Sequence, residues 1–491
     1  PSAAIRRIAV QSRKFPLSYR AKMLPENGLT LTELQAEMAQ YRTRDLAWRK
    51  GRSWSLMYYV DEEHQQKIEA AYQAFFSENF VSPLAFDSLR QMEREVVQWS
   101  AELMHASDDY AGMLTAGGTE SIFLAVLSAR ERARQRGIRR PELVLPRTGH
   151  PAFTKAADLL GFKVRMLPVD EGQCARADSL PRYVNRRTAL IVASAPSYPH
   201  GILDPVEEIA AFAKKRGILC HVDACVGGFM LPWVEELGYA VAPWDFRLPG
   251  VTSISADLHK FGYAAKGCSV LLYSDPSLMD RQFYVRTDWP GGIYATGGLL
   301  GTRPGGTVAA AWASMKGLGR EGFLATARSN MEAFMDLRQK LTAIPGIEII
   351  GQPCMNILAY RTLDNDPDLL VVADRLMEKG WQVDRQHKPL SIHLTLMQHN
   401  RPVVDQYVAD LTEALAFAKK HPEASGEGQA AMYGLMARLP GKKVVGKQVR
   451  NVMQQWYGAQ ANPDANADAT PNWIGRVNRL LLRVHRWRKN V

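Results

Sequence analysis

From about residue 66 to 330, strand-like apolar runs alternate with helical patterns along the chain. The runs 142–145, 163–168, 189–193, 218–222, 251–256 and 269–273 read as strands. Between them, 152–160 closes on Gly161 and 206–216 closes on Gly217, and both read as helices. At the second, Asp204 can cap the helix, Pro205 suits the first turn, and Glu207 completes a capping-box arrangement. Such alternation predicts a mostly parallel sheet with helices packed on it. Upstream, Leu31, Leu34 and Met38 fall at helical spacing behind a Thr30/Glu33 capping box. Beyond 330 the pattern changes. A helix (331–343), two strands (347–350, 356–361), a helix closing at Gly380, an alternating strand (391–397) and a helix (403–420) predict a small α+β domain. The expected division is a basic, helical lead-in (1–65), a large α/β domain (66–330), a small C-terminal domain (331–440) and a basic tail (441–491). An Ala/Asn/Asp-rich stretch around 458–470 reads as a linker within the tail.

Composition narrows the function. With 491 residues and 46% hydrophobic content, the chain can form roughly two or three folding units, bury a large core and still hold a pocket. The net charge of +11 suggests a polyanion partner until its distribution is read. Residues 1–22 carry six basic side chains and no acid, and 441–491 carry ten against two acids. That leaves the middle at −3, which argues against a nucleic-acid-binding body. The five cysteines (Cys174, Cys220, Cys225, Cys268, Cys354) are scattered, which fits a reducing, cytoplasmic setting and argues against a disulfide scaffold or a metal site. No apolar run reaches the roughly 18 residues of a spanning helix, and no signal-peptide pattern is visible.

Four features carry chemistry. Lys260 follows the alternating strand in Val251-Thr-Ser-Ile-Ser-Ala-Asp-Leu-His-Lys260. A lysine beside buried apolar chain has reason for a lowered pKa, and can condense with an aldehyde cofactor; alone, most such lysines are surface charges. Asp223 ends the strand at 218–222, at the sheet edge where α/β folds bind ligands, and could pair with a protonated pyridine nitrogen; alone, it would read as a cap or an ion pair. Thr115-Ala-Gly-Gly-Thr-Glu-Ser121 opens a helix with two glycines and two hydroxyls, an anion cradle or an ordinary turn. His150 lies between a strand and a helix, where its ring could stack on an aromatic cofactor or simply cap. Together they meet what pyridoxal 5′-phosphate requires of a protein.

On these residues a resemblance can be stated. Gly117-Gly-Thr-Glu-Ser121, His150, His221-Val-Asp-Ala-Cys225-Val-Gly-Gly-Phe229 and Ser253-Ile-Ser-Ala-Asp-Leu-His-Lys260-Phe-Gly-Tyr-Ala-Ala-Lys266-Gly resemble the group II pyridoxal-phosphate decarboxylase superfamily. Ser194-Ala-Pro-Ser-Tyr-Pro-His200-Gly-Ile-Leu-Asp-Pro205, Gly291-Gly-Ile-Tyr294-Ala-Thr and Gly301-Thr-Arg303-Pro-Gly-Gly306 look like its sphingosine-1-phosphate lyase branch. The resemblance runs over about residues 50–350 and implies the type I fold of pyridoxal-phosphate-dependent transferases. It implies that Lys260 attaches the cofactor, Asp223 pairs with its ring nitrogen, and His150 stacks on the ring. Cys225 and His259 would lie nearby, with Gly118, Thr119 and Ser121 contacting the phosphate. Lys266 and Tyr294 would be the acid–base candidates, Tyr294 reaching across a homodimer interface. Tyr58 and Asn79 would approach the substrate phosphate. The family has a histidine three residues after this asparagine; here Ser82 stands in its place, a hydrogen-bond donor without charge.

The activity so implied is cleavage of the Cα–Cβ bond of a phosphorylated sphingoid base to a long-chain aldehyde and phosphoethanolamine. The alternative is amino-acid decarboxylation on the same scaffold. In the tail, Trp473, Val477, Leu480, Leu481, Val484 and Trp487 recur at helical spacing among Arg476, Arg479, Arg483 and Arg486. This basic amphipathic helix could lie on an anionic membrane or dock on protein.

Overall fold

The computed structural model describes residues 24–43, 45–81, 84–426 and 442–457. Residues 48–365 and 380–412 form one compact unit, which holds both of the larger sheets and all the described site candidates; the other described segments fall outside it. The core is a seven-stranded sheet built from β1 (Ala111–Thr115), β2 (Glu142–Pro146), β3 (Lys163–Leu167), β4 (Thr188–Ser194), β5 (Leu219–Asp223), β6 (Ser253–Ala256) and β7 (Ser269–Tyr273). Its strand order is β1-β7-β6-β5-β4-β2-β3. Strands β2 to β6 run parallel, and β7 lies antiparallel between β6 and β1. The carboxyl ends of β1, β2, β4, β5 and β6 therefore share one edge with the start of β7. Strands β2, β4, β5 and β7 are buried along their whole length, which is why they read as continuous apolar runs.

At the first helix, α1 (Leu31–Arg42), both halves of the expected capping box form: Glu33 N–H donates to Thr30 Oγ1 at 3.3 Å, and Thr30 N–H donates to Glu33 Oε2 at 2.8 Å. Next come α2 (Glu62–Ala74), α3 (Asp87–Leu103), α4 (Gly118–Gln135) and α5 (Ala152–Leu160). Helix α4 packs over β4, β6 and β7, and the helix Val206–Arg216 packs on β4 and β5. As expected, α5 and Val206–Arg216 end where Gly161 and Gly217 turn left-handed, at φ 75° and 61°.

The structure corrects several expectations. Asp204 does not cap the helix Val206–Arg216; its carboxylate is buried and accepts the N–H groups of Ala175 (3.1 Å) and Ser194 (2.8 Å). Burial lifts its pKa to about 7 despite those two bonds. The expected helix 331–343 is the end of a helix spanning Gly305–Thr342, bent at Gly319 (φ 59°, ψ −178°). The glycines at 317, 319 and 322 mask its first half in the sequence pattern. A hairpin of β8 (Tyr284–Trp289) and β9 (Gly292–Thr296), absent from the expected strands, has all but one of its residues exposed. A four-stranded antiparallel sheet, ordered β10 (Ile347–Ile349), β11 (Ile357–Thr362), β13 (Leu390–Thr395), β12 (Asp384–His387), stands beyond the bent helix in the chain. Strand β12, Asp-Arg-Gln-His, is wholly polar and carries no apolar signal. Among the described residues, no helix is long and apolar enough to cross a membrane, and no His/Cys/Asp/Glu cluster suits a metal.

Candidate active site

Asp257, just past β6, is the hub of the sheet edge. It is 3% exposed, accepts Ser269 Oγ at 2.5 Å on Oδ1, and holds Lys260 Nζ at 2.9 Å from Oδ2. Burial works to raise its pKa, but the charges of Lys260 and His259 bring it below the ordinary carboxylate value. Lys260 is the mirror case. Burial favours the neutral amine, yet the Asp257 carboxylate outweighs it and raises the pKa. The lowered pKa expected from an apolar setting is thus overturned by the acid three residues earlier. His259 Nδ1 lies 2.6 Å from the Cys268 carbonyl oxygen, and burial lowers its pKa.

The glycine turn after β1 closes onto this hub. A Cβ added at Gly118 would lie 2.6 Å from Asp257 Oδ1 and 2.8 Å from Cys225 Sγ, and one at Gly117 (φ 133°) would lie 3.6 Å from His259 Cε1. Only glycine lets the start of α4 approach Asp257 so closely. No side chain caps that helix start. Thr119 is exposed at the first turn, whereas Ser121 is buried with its hydroxyl 2.7 Å from Thr115 Oγ1. The Ser121 hydroxyl is therefore already engaged within the loop.

Strand β5 delivers Asp223 and Cys225 to the same edge. Cys225 N–H donates to Asp223 Oδ1 at 3.1 Å, and its thiol donates to Ser255 Oγ at 3.4 Å. Burial pushes the Cys225 thiol pKa well up, so it is a neutral wall rather than a nucleophile. His221, buried beneath, is bracketed by Ser253 and Ser255 hydroxyls at 2.8 and 3.1 Å, and burial lowers its pKa to about 4. His150 follows β2, is exposed, and accepts the Ala152 N–H on Nδ1 at 3.2 Å.

Lys266 donates to the His259 carbonyl at 2.7 Å, and its ammonium lies 4.9 Å from the centre of the Tyr58 ring. Lys266 is exposed on one side, but desolvation by its packed surroundings and the neighbouring Lys260 charge lower its pKa to about 8. The Tyr58 ring packs edge-on against Phe261 at 5.0 Å. Burial and two nearby carboxylates, Asp257 and Asp384, raise the Tyr58 pKa against the pull of Lys260.

Two further residues were missed. Tyr198, in the loop after β4, donates to Asp384 Oδ2 at 3.2 Å and packs on His393 with ring centres 4.3 Å apart. Burial first, then Asp384 and Tyr58, raise its pKa, and Lys260 lies close enough to oppose them. Asp384 arrives from polar β12, a partner no local pattern could have found. The motif around Tyr198 was visible; its hydrogen-bond partner was not.

Asn79 anchors the other side. Its amide donates to Thr302 Oγ1 at 3.3 Å and accepts the Val81 N–H at 3.0 Å. Nearby Arg303 is paired with both oxygens of Glu93, at 2.7 and 3.3 Å. Ser82 and the tail segment 471–491 lie outside the described residues. Tyr294 sits on the exposed hairpin, with ring neighbours Tyr284 and Trp289 of that hairpin.

The donor set fits pyridoxal 5′-phosphate. A glycine-lined helix start suits its phosphate, Lys260 suits its aldehyde, and Asp223 suits its ring nitrogen. The hydroxyls of Thr148, Ser194 and Ser197, all near this edge, are buried without protein partners, as a polar ligand would require.

Residues 79–363 match the pyridoxal-dependent decarboxylase conserved domain. The chain is 36% identical to sphingosine-1-phosphate lyase 1 of Rattus norvegicus, over 86% of this chain and 75% of the relative. It is 38% identical to the sphingosine-1-phosphate lyase of Dictyostelium discoideum, over 86% and 80%. Among solved structures it is similar to a sphingosine-1-phosphate lyase of Burkholderia pseudomallei, with a TM-score of 0.80 and 36% identity, covering 88% of this chain and 97% of that one.

Proposed function

The chain belongs to the pyridoxal-dependent decarboxylase family and to its sphingosine-1-phosphate lyase branch, and from that premise we propose how its residues cleave a phosphorylated sphingoid base. The products are a long-chain aldehyde and phosphoethanolamine. The observation that carries the reading is the convergence at Gly118, where the anion cradle, Cys225 and the Asp257–Lys260 pair meet.

When bound, pyridoxal 5′-phosphate supplies the electron sink for the pair released at Cα. Lys260 is the attachment point, and Asp257 keeps its side chain in place through the 2.9 Å contact. The Asp223 carboxylate, fixed by the Cys225 N–H, would hold a proton on the cofactor's ring nitrogen. The Gly117–Thr119 turn would bind the cofactor phosphate through backbone N–H groups and the Thr119 hydroxyl, with His150 available to stack on the ring. Lys266, with a pKa of about 8, is near half-deprotonated at mildly alkaline pH and takes the Cβ hydroxyl proton. As that bond collapses to the aldehyde, the Cα–Cβ bond breaks and Cα regains one proton. Tyr58 and Asn79 hold the substrate phosphate end.

The exposed hairpin supports a homodimer. Val285, Trp289 and Ile293 are 61%, 51% and 75% exposed, an unusual cost for a monomer. A second copy covering them would carry Tyr294 into the neighbouring site.

Purified protein given cofactor and a phosphorylated sphingoid base should release aldehyde and phosphoethanolamine in equal amounts, with no carbon dioxide from glutamate or aromatic amino acids. Carbon dioxide release without aldehyde would overturn the reading in favour of a decarboxylase.

A further inference from the structure

A cavity of about 360 Å³ lies between α2 and the Tyr263–Lys266 segment. Helix α2 gives it a simple logic. Ile68 and Tyr72, one turn apart, line it with apolar surface, while Gln65, Glu69 and Gln73 form the neighbouring polar stripe. Ile68 and Tyr263 are buried, whereas Glu69 and Gln73 are exposed, so the depth is apolar and the mouth is polar. Trp48, Met57, Tyr58 and Tyr59 complete an aromatic-rich wall.

We propose that this cavity receives the hydrocarbon chain of the substrate, and that its walls set the chain length the enzyme prefers. The inference rests on the phosphorylated long-chain-base reading above. Lys266 lines the cavity and also faces the hub through the His259 carbonyl. In the substrate, the hydroxyl whose proton Lys266 takes and the root of the chain share one carbon. Wherever Lys266 meets that hydroxyl, the chain must begin beside it, and the cavity begins there.

Beyond Tyr58, the lining does not suit the phosphate end of the substrate. Lys266 is its single basic residue, and Glu69 at the mouth would repel a phosphate. The Tyr58 hydroxyl lies within electrostatic reach of Lys260, Asp257 and Asp384. Tyr58 therefore stands at the branch, with its ring against the Lys266 ammonium that the cavity shares with the catalytic hub.

Size sets a limit. At the ~30 Å³ that a water-sized group occupies, the cavity holds about a dozen methylenes. Each methylene transferred from water into apolar surroundings is expected to raise kcat/KM about fourfold until the cavity is full.

The test is a chain-length series of phosphorylated 2-amino-1,3-diols on the cofactor-loaded enzyme. Wild type should show kcat/KM climbing and then levelling near a dozen chain carbons. Ala265→Phe, which adds bulk to the wall, should level several carbons earlier and lower the long-chain to short-chain ratio at least tenfold. Met57→Ala, which removes wall instead, should lower that ratio severalfold and is the second variant should the first fail to fold. A flat wild-type series, or folded variants that keep the wild-type ratio, would overturn the proposal. Absence of turnover with every phosphorylated base would instead overturn the lyase reading on which it rests.

Discussion

Replacing Gly118 by alanine would press a methyl group to 2.6 Å from Asp257 Oδ1 and 2.8 Å from Cys225 Sγ. Overpacking of this kind typically costs about 1–3 kcal/mol. Because it falls where the cradle meets the hub, Gly118→Ala should weaken cofactor binding about 10- to 100-fold, read from cofactor absorbance during dialysis; unchanged retention would remove Gly118 from the site. Lys266 makes a second prediction. With its pKa lowered to about 8 by burial and Lys260, it is protonated below and neutral above that value. Its acylation, followed by mass spectrometry of the Lys266 peptide, should reach half its maximum rate near pH 8, well below the roughly 10.4 of an ordinary lysine side chain. A midpoint near that ordinary value would contradict the assignment. At this scale much was legible, because Asp223, His150 and Lys260 follow predicted strands and so had to share an edge. Asp257 escaped because it reads as one more residue of the lysine motif. Asp384 escaped because its contact with Tyr198 spans 186 residues.

Elements are readable where local physics decides them. Helix α5 and the helix Val206–Arg216 end at left-handed glycines that the sequence marks plainly. Gly217→Ala should cost about 1 kcal/mol in urea unfolding, since an L side chain pays for the left-handed turn. The central strands were legible as well, since burial on both faces leaves continuous apolar runs. The hairpin β8–β9 and polar β12 were not, because neither turns an apolar face to this chain's own core. For the hairpin that is itself informative. Paired Trp289→Glu and Ile293→Glu should shift the sedimenting species from dimer to monomer and reduce turnover more than tenfold, while each chain still folds by circular dichroism. A variant that stays dimeric would remove the hairpin from the interface.

Across the whole molecule, charge is segregated: two basic ends flank a body near −3, and the chemistry lies in the body. The basic amphipathic pattern of 473–487 fits either an anionic membrane surface or docking on protein. Deleting 471–491 should lower co-sedimentation with phosphatidylserine vesicles severalfold, and unchanged binding would assign that pattern to protein docking instead. The mostly parallel sheet and the edge that gathers its chemistry followed from strand–helix alternation, whereas the bent helix and the small sheet's full pairing depend on contacts far apart in sequence. If this one edge, with Asp257 at its hub, holds the cofactor, it does so on Lys260. Borohydride reduction of the cofactor-loaded enzyme, followed by peptide mapping, tests it most directly. A pyridoxyl adduct is expected on Lys260 in the wild type and none in Lys260→Ala; an adduct on Lys266 or on any other lysine of the wild type would contradict that attachment.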